Sequence, residues 1–391
     1  MPASASHRTA WRTGLVLLAV IAAGPARSDA QSGPESAQNA VMQVLGDSSQ
    51  GFAKATAVRR FRFPEDHGPH PDFRSEWWYF TGNLIATGGR RFGFQLTFFR
   101  FALSPEAPAR ASAWASNQVY MAHFAVTDVA ERRFHAAEAF SRAALDLAGA
   151  RVAPFRVWLE SWWVAGDDFF PLDLHAEDSG YSIDLRLDAG KPVVLNGESG
   201  LSRKSAEPGN ASYYYSIPRI PVSGQLATPD GSWPVRGAAW FDREWSSSLL
   251  APDQVGWDWF ALQLSDGRDL MVYRLRSRDG GTDPHSGGTL VEADGQARSL
   301  DAGAFELDVL DHWPSPRGDA RYPSRWRLRV PSAAIDVEIT PEIPNQELDL
   351  RFRYFEGASR VSGSSASRPV TGHGHVELTG YSAGGSAAMV R

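Results

Sequence analysis

The stretch RRFGFQLTFFRF, residues 90 to 101, decides the fold. In an extended chain Phe92, Phe94, Leu96 and Phe98 fall on one face, and Gly93, Gln95, Thr97 and Phe99 on the other. A period of two is that of a β-strand, and both faces here are unusually apolar. The same period returns in VYMAHFAVTDV (119 to 129), PLDLHAED (171 to 178), YSIDLRLD (181 to 188), DLMVYRLR (269 to 276), RWRLRV (325 to 330) and AIDVEIT (334 to 340). Turn signals such as TGG, DSG, PDG and EADG separate these runs. Residues 136 to 149 are the one long stretch with a helix-compatible pattern. The expected fold class is all-β and antiparallel, as sandwiches or barrels, with few short helices.

At 391 residues the chain exceeds one small domain; at about 150 residues per domain, two are expected. Apolar residues at 43% and charged residues at 21% describe an ordinary folded protein. A net charge of -6, with 39 scattered cations, argues against a nucleic-acid partner, because neutralising phosphates needs a clustered basic surface. The 14 tryptophans and 21 phenylalanines suit β-structure and the walls of an apolar pocket.

Arg8 and Arg12 precede the apolar run GLVLLAVIAAG (14 to 24), with small residues following at Ser28 and Ala30. This is the pattern of a secretory signal peptide over residues 1 to 30, cleaved after Ala30. The run is too short to span a bilayer as a helix, so no stable membrane span is expected after cleavage. The chain has no cysteine, hence no disulfides and no lipid-anchored cysteine behind the signal. A periplasmic protein is expected, with residues 31 to 56 as a flexible N-terminal arm.

Residues 77 to 84 (WWYFTGNL) align without gaps with residues 257 to 264 (WDWFALQL), and each run is followed by a Gly-Arg turn and another apolar strand. Two β-domains on one plan follow, at 57 to 247 and 248 to 391. The segment GAAWFDREWSSS (237 to 248) then lies at their junction, where ligand sites are often built.

SEWWYFTGNL, MAHFAVTDV, GAAWFDREWSSS and GWDWFALQLSDGRDLMVYRLR, in that order, resemble the AttH/CrtC family. That family includes the carotenoid 1,2-hydratases (hydroxyneurosporene synthases) and many exported proteins encoded with ABC transporters. The resemblance runs from about Phe61 to Tyr381 and implies two lipocalin-like β-barrel domains in tandem. It also implies an apolar, lipid or isoprenoid-like ligand and an ABC transporter as a partner. In the hydratases the segment matching 242 to 245 looks like Asp-His-x-Trp, and its histidine and tryptophan line the active site; here it reads Asp242-Arg243-Glu244-Trp245. Their acidic residue after a tyrosine would fall near Tyr273, where this chain has Arg274 and Leu275. The pattern places the chain closer to the AttH branch.

Hydrating an isolated alkene needs an acid to protonate carbon, an aromatic wall for the cation, and a water to trap it. Asp242, Glu244 or Asp258 is the candidate acid, and Trp240, Trp245, Trp257 and Trp259 the candidate wall. Tyr273, His123 and Trp78 are further candidate lining residues. Alternation puts Asp242 and Glu244 on one side of the strand and Arg243 and Trp245 on the other. A guanidinium beside a carboxyl favours its ionised form and opposes its use as an acid. Arg243 is thus either a site residue or a fork onto a carboxylate across the two domains. His123 and Glu76 carry the same two alternatives, core or site. His373, His375 and Glu377 alternate onto one face in TGHGHVELTGY, a pattern that superficially matches an iron site. No zinc, P-loop, dinucleotide or nucleophile-elbow motif occurs, so no metal or cofactor is expected. Two readings stay open: a carrier holding an apolar molecule, and an enzyme hydrating or isomerising an isoprenoid-like alkene in the same cavity.

Overall fold

The computed structural model describes residues 49 to 381, except 108, 110 and 249. The expected signal peptide and residues 31 to 48 of the arm lie outside the described residues. The rest of that arm is docked: the Ala53 amide donates to the Asp72 carbonyl at 2.9 Å, Ser247 Oγ donates to the Ala53 carbonyl, and Ala55 is fully buried.

The alternating runs form two antiparallel sheets, one of 13 strands ending at Ser246 and one of 10 strands starting at Gln254. Each sheet curls around its own apolar core. The first core is built from residues such as Phe92, Phe94, Leu96 and Phe98; the second from Phe260, Leu262, Trp326 and Leu328. These are two lipocalin-like β-barrel domains in tandem. The described helices are two three-residue turns, Glu65–His67 and Pro331–Ala333.

The two runs aligned in the sequence occupy equivalent places. Ser75–Ala86 pairs with the next strand, Arg91–Ala102, and with the last strand of its sheet, Gly231–Ser246. Gln254–Leu264 likewise pairs with Asp269–Ser277 and with the last strand of its own sheet, Arg368–Leu378.

Residues 136 to 149 do not form a helix. Arg133–Arg142 is a strand paired with Gln118–Asp128, and Ala148–Arg151 is another strand. Leu145 and Asp146, at φ of 54° and 58°, turn the chain between them. The helical pattern there rests on alanines, which fit a helix face or a strand face equally well, so the neighbouring strand decides.

The sheets face each other through their outer surfaces. Tyr79, Tyr214, Trp240, Trp259, Ala261 and Met271 form one mixed cluster between them, and Met121, Leu348, Phe352 and Tyr354 another. Polar bonds cross beside these clusters: Tyr79 to Glu356 at 2.7 Å, Thr127 to Gln346 at 2.7 Å, and Lys191 to Asp269 at 2.8 Å. Gly93 lets the sheets approach, since a Cβ there would lie 2.3 Å from the Ala358 Cβ.

Candidate active site

Both faces of the central strands are apolar for a physical reason: one fills a barrel and the other meets the second sheet. Between the two sheets that second face leaves a cavity with an open mouth. Trp77 and Tyr79 line it from the first aligned run, and Trp257 and Trp259 from the second. Asp242 and Glu244 line it from Gly231–Ser246, and Glu356 and Glu377 from the last two strands of the second sheet. Tyr79 is opposite Asp242 in its ladder, as Trp259 is opposite Glu377 in its own.

Asp242 is buried and accepts three hydrogen bonds. Ser216 Oγ and Trp240 Nε1 each donate to Oδ1 at 2.6 Å, and the Tyr214 hydroxyl donates to Oδ2. Trp259 Nε1 donates in turn to the Tyr214 oxygen at 3.1 Å. Burial raises the Asp242 pKa to about 7; the three hydrogen bonds oppose the shift, and neighbouring Glu244 adds to it. No arginine touches this carboxyl among the described residues. Glu244 instead pairs with Lys204 at 3.0 Å. Burial works against the Lys204 charge, but Glu244, Tyr273 and Asp242 together outweigh it and hold the ammonium above its ordinary range.

Across the cavity Glu356 accepts from Tyr79 and contacts His375 Nε2 at 2.8 Å. Burial pushes the Glu356 carboxyl well above the usual range and lowers His375 to about 3, so the imidazole is neutral. Glu377 accepts from Trp257 Nε1 at 3.1 Å; burial first, and the facing Glu356 second, push it well above the carboxylate range.

The strand alternation sends Arg243, Trp245 and Trp78 away from this cavity, into the first barrel. Arg243 is fully buried and pairs with Glu76 of the same sheet, so it does not fork across the two domains. Its guanidinium carbon lies 4.0 Å from the Trp78 ring centroid, and Trp245 stacks on His70 at 3.8 Å. Burial disfavours the Glu76 charge, but Arg100 and Arg243 hold it ionised, well below the ordinary range. This is a structural ion network. Asp258 is likewise bound by Arg274 and Arg276, at 2.5 and 3.0 Å, and does not line the cavity.

Trp240 stands one layer behind the wall, edge-on to Trp259 at 6.4 Å, and orients Asp242. Trp257, Trp259, Tyr273 and His123 line the cavity. His123 Nδ1 lies 2.7 Å from the Tyr354 hydroxyl. His373, His375 and Glu377 do not converge: His373 leans toward Glu342 at 3.8 Å while His375 turns to Glu356, and no metal-holding group of three occurs among the described residues. Sequence reasoning missed Lys204, Tyr214, Tyr79 and Glu356 as lining residues. The repeat held a signal for one of them, because it aligns Tyr79 with Trp259.

The AttH-like family model matches residues 54–381. The chain belongs to the AttH-like family. A Nitrosomonas europaea protein assigned to AttH, known from its crystal structure, shares 35% identity, covering 84% of this chain and 99% of that one with a TM-score of 0.75. Kievitone hydratase from Nectria haematococca has the same fold at 17% identity, with a TM-score of 0.64 over 85% of this chain and 97% of its own. No curated protein sequence matches significantly. Family membership agrees with the two-barrel architecture.

Proposed function

We propose that this AttH-like protein is an acid-base enzyme that hydrates or isomerises an apolar, isoprenoid-like alkene in the cavity between its barrels. The observation that carries the reading is Asp242: a buried acid with a pKa of about 7, without a cationic partner among the described residues, at the wall of an aromatic cavity. A carboxyl poised near neutrality is suited to deliver a proton and take one back.

When Asp242 is protonated on Oδ2, Tyr214 accepts from it and from Trp259, and its own hydroxyl hydrogen is freed toward the cavity. The proton passes to an alkene carbon through Tyr214 while the Asp242 proton refills the phenol. A carbocation forms against the faces of Trp257 and Trp259. Water adds to the cation and its surplus proton returns to Asp242, which completes a hydration. If a neighbouring C–H loses its proton to Asp242 instead, the outcome is an isomerisation.

The hydratase name of one structural neighbour suggests where a substrate screen starts; the reading itself rests on Asp242. The carrier reading shares the cavity and the apolar ligand, and places the protein beside an ABC transporter, as the family resemblance implies. It is favoured by the three donors on Asp242, which hold the carboxyl as an acceptor. The N-terminal pattern over residues 1 to 30 supports an exported protein under either reading.

The test is incubation of the protein with a panel of isoprenoid alkenes in ¹⁸O-labelled water, followed by mass spectrometry, beside Asp242→Asn. Turnover that incorporates label and falls by roughly a hundredfold or more in the variant is expected. A variant as active as the wild type removes Asp242 from the mechanism, and binding without any turnover leaves the carrier.

A further inference from the structure

The cavity wall holds four carboxyls, Asp242, Glu244, Glu356 and Glu377, against a single ammonium, Lys204. Lys204 is taken by Glu244 at 3.0 Å. The other three acids have only neutral partners among the described residues: Ser216, Trp240 and Tyr214 for Asp242, Tyr79 and neutral His375 for Glu356, Trp257 for Glu377. Such an imbalance in an apolar enclosure is costly to maintain in ionised form, because a buried charge needs a counter-charge.

Two further observations point to a positive guest. Glu356 is 1% exposed, yet its Oε1 has no hydrogen-bond partner among the described residues. Glu356 and Glu377 are also direct cross-strand partners, so their carboxyls cannot both ionise in an apolar wall until a positive charge arrives. The rings already host one cation: Lys204 Nζ lies 5.4 Å from the Tyr273 ring centroid and 5.9 Å from that of Tyr214. Ring faces backed by acids are the arrangement that recognises ammonium groups.

We propose that the cavity binds lipophilic organic cations, with an isoprenoid-sized apolar body and one ammonium-type charge seated against the Trp257 and Trp259 faces and countered by Glu356 and Glu377. The proposal rests on the reading that this cavity is the ligand site. Binding is coupled to ionisation: as the cation enters, one of the facing carboxyls loses its proton to solvent, and the pair becomes a carboxylate beside an ammonium. In the proposed reaction the same surroundings would meet the positive charge that develops on carbon, so a permanent ammonium of the same shape mimics that state.

The experiment compares geranyltrimethylammonium with geraniol on the full chain. Quenching of tryptophan fluorescence gives both affinities, and calorimetry in two buffers of different ionisation heat counts the protons released. The cation is expected to bind on the order of tenfold tighter than the alcohol and to release up to one proton per site. The double variant Glu356→Gln/Glu377→Gln, which leaves neither facing carboxyl able to ionise, is expected to cut that preference to about twofold or less and to abolish the proton release. If the double variant fails to fold, the proton count on the wild type still decides. Geraniol binding as tightly as the cation, or cation binding without proton release, overturns the inference and leaves the cavity a ligand site. Failure of both probes to bind overturns the cavity as a ligand site and this inference with it.

Discussion

An aspartate buried without a cation leaves a pH signature in stability. Asp242 has its folded pKa raised from 3.8 to about 7, so the unfolded chain gives up this proton more readily than the folded one. The associated stability is fully present below about pH 4 and is lost as pH rises through 7. At 1.36 kcal/mol per unit, the window corresponds to roughly 4 kcal/mol. Asp242→Asn is expected to flatten the stability difference between pH 4 and pH 8 by that order, read from urea midpoints at each pH. Glu356 and Glu377 act in the same direction and remain in the variant, so a residual slope is expected; an unchanged slope would remove Asp242 from this role. At this scale the sequence was partly legible. Strand alternation alone separates Asp242 and Glu244 from Arg243 and Trp245. It does not say which face meets a cavity and which an ion network, because the partner Glu76 is 167 residues distant in sequence. Nor can it see Tyr214, whose role depends on a neighbouring strand.

The strands that build the site do so through close approach of two sheets, and Gly93 sits at one such contact. Its backbone is extended, so the glycine serves space rather than an unusual φ: an added Cβ would meet the Ala358 Cβ at 2.3 Å. Gly93→Ala is expected to cost about 1 to 3 kcal/mol by overpacking, measured by chemical denaturation. Adding Ala358→Gly should restore much of the loss, which a denatured-state effect of the first substitution would not allow. The double variant being no better than the single one would show that the contact does not limit packing. Element type was the most legible layer, because runs such as RRFGFQLTFFRF and DLMVYRLR declare period two over their whole length. The misleading stretch, 136 to 149, is one where alanines leave both periods satisfied and only pairing with Gln118–Asp128 decides.

At the scale of the molecule, the repeat of WWYFTGNL in WDWFALQL marks more than two related halves. Each copy is a central strand with one face in its barrel and the other toward the opposite sheet, so the cavity lies between equivalent surfaces of the two halves. Neither half has the site alone: Asp242, Tyr79 and Tyr214 come from the first sheet, and Trp259, Glu356 and Glu377 from the second. The sequence could not show this, because a period of two says that a second face is apolar and not what covers it. The cover is extensive, with two apolar clusters and buried bonds such as Tyr79 to Glu356 and Trp259 to Tyr214. Separating the halves would expose those rings and strand a buried carboxyl, a penalty that couples their unfolding. We therefore expect one calorimetric transition, with a van't Hoff enthalpy equal to the calorimetric one, rather than two. Tyr79→Phe removes the bond to Glu356 and one cross-sheet anchor, and should lower that single transition without splitting it. Two resolved transitions in the wild type would mean that the barrels fold independently and that the cavity is an interface able to open.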